Sequence, residues 1–239
     1  MDFSFLFPSA TQAALAQPLL FASADPGFAQ IWIQFVEGIQ QTSLLEYVAV
    51  VAGIASVWFS KKENIWVFPV GLVSTLIYIY LSFKYDLIGE ASVNIYYSVL
   101  SIYGWILWAR RNNTDEHVLH ITFSSRKQWL QQLGFFVLLY CLIYFCLVYL
   151  RDAFYPGVIP WADALASATA YTGMWLMARK KVESWCWWIG TNIASVPLYF
   201  VKGLVFTSVF YFILLLMAFA GLAAWKKKAL VPEPNLTGA

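Results

Sequence analysis

The chain has 239 residues, of which 61% are hydrophobic and 12% are charged, about half the charged fraction of an average soluble domain. Its net charge of +2, without a basic patch that alternates with exposed aromatic side chains, argues against nucleic acid as a partner. The three cysteines, an odd number, argue against a framework of disulfide bonds. This composition predicts an all-α membrane protein that is surrounded by a lipid bilayer.

Helical segments account for most of the chain after residue 27. Residues 28–41 have the pattern of a short amphipathic helix, which is expected to lie in the membrane interface. Apolar segments follow, each close to the ~20 residues that a helix needs to cross a bilayer. The seven predicted membrane-spanning helices cover residues 44–60, 65–83, 90–109, 128–150, 161–178, 184–201 and 205–225.

Basic residues collect in alternate loops between these helices. If the loop at Lys61 lies in the cytoplasm, 12 of the 15 Lys and Arg residues lie on that side, and only Lys84, Arg151 and Lys202 lie on the other. Cytoplasmic loops of membrane proteins carry such an excess of positive charge. The pattern therefore predicts a multi-pass protein with its C-terminus in the cytoplasm.

Two parts of the chain match when it is shifted by 119 residues. Lys61-Lys62, Trp66, Gly71 and Tyr80 then overlie Lys180-Lys181, Trp185, Gly190 and Tyr199, and after a slip of two residues Trp108 overlies Trp225. The match predicts two parallel three-helix repeats joined by one linker helix. The predicted parts are an N-terminal tail with the interfacial helix (1–43), the first repeat (44–110), a cytoplasmic loop with the linker helix (111–160), the second repeat (161–228) and a cytoplasmic tail (229–239).

Polar and aromatic side chains form a stripe on the helix at 184–201. At about 100° per residue, Trp185, Trp188, Asn192, Ser195 and Tyr199 lie within an arc of about 80°. One interpretation is an aromatic packing face in which Asn192 hydrogen-bonds a neighbouring helix. The other is a pocket wall that stacks a flat ligand on indole rings and binds it through the amide.

A second stripe occupies the helix at 90–109, where Asn94, Tyr97, Ser101 and Trp105 share one face. No acidic residue lies in the middle of a predicted span, which favours facilitated diffusion over ion-coupled transport. His117 and His120 are more typical of a solvated loop than of a metal site. No nucleophile, metal set or phosphate loop predicts an enzyme.

The motif Trp185-x-x-Trp188-x-x-x-Asn192, followed by Pro-Leu-Tyr199, resembles the PnuC family of bacterial nicotinamide riboside transporters. Tyr103-Gly104-Trp105-x-x-Trp108 resembles the same family, and the likeness extends over residues 44–228. Asn94 departs from the family pattern, in which Gln is more frequent.

This resemblance implies a fold like that of the sugar-transporting SWEET proteins. It implies uniport of nicotinamide riboside across the bacterial inner membrane, by a homotrimer and without a cofactor. A cytoplasmic nicotinamide riboside kinase would then trap the substrate for NAD synthesis. Thiamine and riboflavin remain alternative substrates, and a seven-helix receptor and a membrane enzyme remain alternative functions.

The substrate is a flat cationic ring on a polyol, which suggests roles for the residues of the two stripes. Trp185 and Trp188 would hold the ring by cation–π attraction. Asn192 and Asn94 would hydrogen-bond the ribose or the carboxamide, and Tyr97, Tyr199 and Trp66 would close the pocket. Because no buried Arg or Lys is available for a phosphate, the mononucleotide is expected to be excluded.

Overall fold

The computed structural model describes residues 27–84, 88–111, 118–149 and 159–230. The predictions for residues 1–26, for His117 and Arg151, and for residues 231–239 lie outside the described residues. Within the described ranges the protein is helical, which confirms the all-α class. Its helices are α1 (Phe28–Gln41), α2 (Leu44–Lys61), α3 (Val67–Lys84), α4 (Ile88–Ala109), α5 (Arg126–Tyr149), α6 (Pro160–Ala178), α7 (Ser184–Val201) and α8 (Val205–Ala229).

Four of the described helices, α2, α3, α5 and α8, are long and apolar enough to cross a membrane by length and composition. Helices α6 and α7 do not reach this level because they carry several buried polar side chains. In α6 these include Ser167, Thr169 and Thr172, and in α7 they include Asn192 and Ser195. Their polar side chains are thus turned towards the protein interior.

The helices pack as two sets of three. Helices α2, α3 and α4, the first helix set, pack in chain order, as do α6, α7 and α8, the second helix set. The sets meet where α2 packs against α8 and where α4 packs against α6. Helix α5 packs against α6, and α1 packs against α8. The middle of the molecule therefore lies between the two sets.

The two sets match at an offset of 117 residues. Helices α3 and α7 both begin and end 117 residues apart, α4 and α8 begin 117 residues apart, and α2 and α6 end 117 residues apart. The predicted offset of 119 for the first two helices is therefore wrong. A match of Trp66 with Trp185 by residue type gave that offset, but Trp66 precedes α3 whereas Trp185 lies inside α7.

A carboxylate that accepts a backbone hydrogen bond lies near the start of α2 and, at this offset, near the start of α6. At the start of α2, Glu46 accepts a hydrogen bond from the Ser43 N–H at 2.5 Å, and near the start of α6, Asp163 accepts one from the Ile159 N–H at 2.6 Å. Each carboxylate satisfies a donor that the first helical turn leaves without a partner. Residues 46 and 163 are again 117 apart.

The ends of α2 and α6 are also alike. After each of these helices the backbone passes through a residue in the left-handed conformation, Glu63 with φ 60° and Lys180 with φ 51°. Glycine usually occupies this position, because a side chain there costs about 1–2 kcal/mol. The Asn64 N–H bonds the Phe59 carbonyl at 2.9 Å, and the Lys181 N–H bonds the Leu176 carbonyl at 3.0 Å. Two charged residues thus occupy strained positions that glycine would relieve.

Candidate functional site

A cavity of about 120 Å³ lies between the two helix sets. The first set contributes Ser56, Val57, Ser60, Val67, Phe68 and Ser101, and the second set contributes Met174, Met177, Trp185, Trp188, Asn192, Leu214 and Ala218. Eight of these 13 positions form four pairs at the offset of 117 residues: Val57 with Met174, Ser60 with Met177, Phe68 with Trp185 and Ser101 with Ala218. Most of the cavity wall is therefore built from equivalent positions of the two sets.

Three of the seven predicted site residues line this cavity. Trp185, Trp188 and Asn192 follow one another along one face of α7, so a single helix brings them together. The predicted contribution of α4 is different. Ser101 of its polar stripe reaches the cavity, whereas Asn94 and Tyr97 are not among the lining residues.

The other four predicted residues lie elsewhere. Asn94 is buried and already has an interaction partner within the protein. The Tyr97 ring packs 6.0 Å from the ring of Tyr171, and the Tyr199 ring stacks on Tyr211 at 5.1 Å. Trp66 is 58% exposed, and its backbone N–H bonds the Asn64 side chain at 3.0 Å. Trp66 is therefore not brought to the cavity.

The amide of Asn192 distinguishes between the two interpretations of the stripe. Asn192 is only 3% exposed and lines the cavity. Its side chain forms no hydrogen bond with any other residue in the described part of the chain. An interhelical bridge would require such a bond. A buried amide without a partner is costly, and a ligand in the cavity would supply the missing partner.

Trp185 is held rigidly in the wall. Its ring meets the Trp225 ring edge-on, with 5.6 Å between centroids and 86° between planes. Gly221 makes room for it, because a Cβ there would lie 2.5 Å from the indole. The Nε1–H of Trp185 is buried and has no hydrogen-bond partner among the described residues. It is a fixed donor beside the cavity.

Phe68 is the counterpart of Trp185 in the first helix set. Its ring meets the Trp108 ring edge-on at 5.0 Å and 84°, and it packs over Gly104 as Trp185 packs over Gly221. Sequence analysis missed Phe68. The signal was present, because Gly104 and Trp108 precede Gly221 and Trp225 by 117 residues. The same offset, subtracted from Trp185 on α7, gives Phe68 on α3.

Comparison with known proteins identifies the family. Residues 43–227 match the model of a family described as the nicotinamide mononucleotide transporters. The chain belongs to this family of transporters. It is therefore a multi-pass membrane transporter and not an enzyme, and the resemblance to PnuC is confirmed.

Several relatives of this transporter have curated names. The nicotinamide riboside transporter PnuC of Escherichia coli is 24% identical over 210 residues, covering 78% of the chain and 87% of the relative. PnuC of Neisseria mucosa is 26% identical over 187 residues, covering 73% and 69%. The riboflavin/roseoflavin transporter RibM of Streptomyces davaonensis is 24% identical over 178 residues, covering 73% and 81%.

The fold of the transporter is also that of a known structure. The crystal structure of the vitamin B3 transporter PnuC matches with a TM-score of 0.60 and 24% identity, covering 90% of the chain and 97% of that structure. This likeness concerns the fold alone; the residues of the cavity are those of the present chain.

None of the described residues that line the transporter's cavity is charged. Outside the lining, the Lys180 ammonium lies 2.8 Å from Glu63, and Lys228 lies 2.8 Å from the other oxygen of the same carboxylate. Burial by itself would raise the pKa of Glu63, but the hydrogen bonds and charges of the two lysines outweigh it and hold the pKa below its ordinary value of 4.5.

A second ion pair joins α6 to the end of α7. The Lys202 ammonium lies 2.8 Å from the Asp163 carboxylate, and both side chains are almost fully buried. Lys202 also lies 5.9 Å from the centre of the Tyr199 ring. Tyr199, predicted to close the pocket, therefore packs beside this ion pair.

Proposed function

We propose that the protein imports nicotinamide riboside by facilitated diffusion. The observation that carries this proposal is an uncharged cavity with indole walls, in which the amide of Asn192 and the Nε1–H of Trp185 have no partner in the described protein. The named PnuC relatives support the choice of substrate. Membership of the family indicates a transporter, and the uncharged aromatic lining of the cavity favours a flat substrate without a phosphate group.

The nicotinamide ring of the riboside carries a delocalised positive charge. An indole face attracts such a cation by about 0.5–2 kcal/mol, depending on how dry the site is. Trp188 and Trp185 supply these faces from the second helix set, and Phe68 supplies a third aromatic ring from the first. Asn192 offers both a donor and an acceptor to the carboxamide or the ribose. Asn94, Tyr97 and Tyr199, which do not line the cavity, would support the residues that do.

The same chemistry disfavours a phosphorylated substrate, although the family model is described by the mononucleotide. A phosphate needs Arg or Lys partners, and the cavity-lining residues include neither. Lys180 and Lys202 are buried, contrary to the expectation from the sequence that no buried Lys is available, but both are already paired with carboxylates. We therefore expect the mononucleotide to be excluded.

The cavity must widen to take the substrate. Pockets for small ligands typically measure about 300–1,000 Å³, whereas this one measures about 120 Å³. We therefore expect the cavity to be wider when the substrate is bound than in the described conformation. Movement of one helix set against the other, as in transporters that are built from repeats, would enlarge the cavity without changing its lining.

For the arrangement in the membrane, we propose seven spans, α2–α8, as two parallel repeats on either side of the linker helix α5. Helix α1 would lie in the interface. The basic residues near Glu63 would face the cytoplasm, with the C-terminus on the same side and the protein in the inner membrane, as a homotrimer. Uniport fits a cavity without acidic groups, and a cytoplasmic riboside kinase would make uptake directional.

Calorimetry of the detergent-purified protein tests the substrate. Nicotinamide riboside is expected to bind, and its mononucleotide is expected to bind at least tenfold more weakly. Riboflavin and thiamine serve as comparison ligands, and preferential binding of riboflavin would favour the function of the RibM relative instead. Uptake of labelled riboside into vesicles, with and without ion gradients, tests uniport. Uptake that required a gradient would contradict it.

A further inference from the structure

Three serine side chains line the cavity, and all belong to the first helix set. The Ser56 hydroxyl donates to the Val67 carbonyl at 2.9 Å, and the Ser60 hydroxyl donates to the Met177 sulfur at 2.9 Å. The Ser101 side chain forms no hydrogen bond with any residue that the structure describes. Ser101 is nevertheless only 4% exposed. Of the three serine hydroxyls, only that of Ser101 is thus available to a ligand in the cavity.

The Ser101 hydroxyl is not satisfied within its own helix. A serine hydroxyl in a helix commonly bonds the carbonyl four residues earlier. A buried hydroxyl without a partner is costly. We infer that Ser101 is a specificity-determining residue that hydrogen-bonds a sugar hydroxyl of the substrate. The inference rests on the proposed function and adds a residue from the first helix set to a site that Trp185, Trp188 and Asn192 provide from the second.

The polar groups around the cavity are complementary to a sugar. The Trp185 Nε1–H can only donate, whereas the Ser101 hydroxyl can both donate and accept. A ribose hydroxyl, which also donates and accepts, satisfies Ser101 in either direction. A nicotinamide cation with a methyl group in place of the ribose keeps the flat charged ring and the carboxamide but lacks every sugar hydroxyl.

The two helix sets differ at this position, and the difference gives the site a direction. The counterpart of Ser101 at the offset of 117 residues is Ala218, which also lines the cavity. Only the first helix set therefore offers a hydroxyl there. A substrate that is bound between two walls that differ in this way is held in one orientation, with its sugar towards Ser101.

The test combines changes in the protein with changes in the ligand. Affinities of the full-length protein for nicotinamide riboside and for 1-methylnicotinamide are measured by calorimetry in the wild type, S101A and S56A. S56A is the matched control, because the Ser56 hydroxyl already has a protein partner. S101A should weaken riboside binding by about 5- to 50-fold and leave 1-methylnicotinamide binding unchanged. S56A should change the preference between the two ligands by less than about threefold.

Single-hydroxyl deletions in the ligand identify the contact. One of the 2′-, 3′- and 5′-deoxy ribosides should bind S101A and wild type with similar affinity, because its partner hydroxyl is already missing. The unfolding temperature of ligand-free S101A should equal or exceed that of the wild type, since a buried hydroxyl without a partner is removed.

The possible failures are distinguishable. If the wild type does not bind the riboside, the proposed function fails and the inference fails with it. If the wild type binds the riboside but S101A retains full affinity, the inference alone is overturned. Equal loss of both ligands in S101A would also overturn it, because Ser101 would then act on the carboxamide ring that both ligands share, or on the shape of the cavity, and not on the sugar.

Discussion

Gly221 offers the most direct test of the cavity wall. A Cβ at this position would lie 2.5 Å from the Trp185 ring, about 1 Å closer than ordinary carbon contacts allow. Trp225, four residues further along the same helix as Gly221, meets the ring edge-on at 5.6 Å between centroids, so the indole can move only away from α8, towards the cavity that it lines. In Gly221→Ala the indole should therefore move into the volume that the ligand needs.

The expected size of the effect comes from overpacking, which costs about 1–3 kcal/mol. The free protein relieves this strain when the ring moves, and a ligand that pushes the ring back restores it. Affinity for nicotinamide riboside should then fall by about 5- to 150-fold, at 1.4 kcal/mol per factor of ten. Calorimetry of the purified protein measures this loss.

Gly190→Ala is the matched control on α7. Its Cβ would lie 3.7 Å from the nearest atom, in Thr169, which is ordinary contact. Both substitutions gain about the same helix propensity, roughly 1 kcal/mol. The difference in unfolding temperature and in affinity between the two variants therefore isolates the clash with Trp185. If Gly221→Ala binds the riboside as tightly as Gly190→Ala, Trp185 is not the fixed wall inferred here.

Three further predictions concern Asn192 in the cavity and the two ion pairs outside it. Asn192→Leu should abolish riboside binding in calorimetry but leave the unfolding temperature unchanged or higher, and a lower unfolding temperature with intact affinity would show that Asn192 is structural. Lys202→Met leaves the buried Asp163 carboxylate without its cation and should destabilise the protein by about 3–5 kcal/mol, measured by thermal unfolding in detergent; wild-type stability would contradict the buried ion pair. Because the pKa of Glu63 is lowered in the folded state, its contribution to stability is present above pH 4.5 and is lost as the pH falls through the folded pKa. Between pH 6 and pH 3.5 the unfolding temperature of the wild type should therefore fall more than that of Glu63→Gln, and parallel curves would mean that the pairing with Lys180 contributes nothing.

The sequence predicted the parts of this molecule that depend on local pattern. Helix bounds lie within a few residues of the prediction, because apolar runs of bilayer length that end in charged residues are strong signals. Trp185, Trp188 and Asn192 were found for a similar reason, since one helix face brings them together without any tertiary information.

The parts that depend on how the helices pack against each other were not predicted. Asn94, Tyr97 and Ser101 share a face of α4, but they lie at different heights along it, and only Ser101 lines the cavity, whereas Tyr97 packs against Tyr171. Trp66, expected to close the pocket, lies outside the cavity, and Phe68 occupies the position in the first helix set that is equivalent to Trp185. Matching helix ends would have identified this register better than matching side chains.

The ion pair between Glu63 and Lys180 also restricts how the two halves of the chain can be assembled. These residues occupy equivalent positions in the two helix sets, and their charged groups lie 2.8 Å apart. Two copies of the first half, pairing in the same way, would bring two carboxylates together at that point, and two copies of the second half would bring two ammonium groups together. Either encounter is repulsive. The opposite charges therefore favour association of each half with the other half and disfavour its association with a copy of itself. The two halves that α5 joins are thus complementary and not interchangeable.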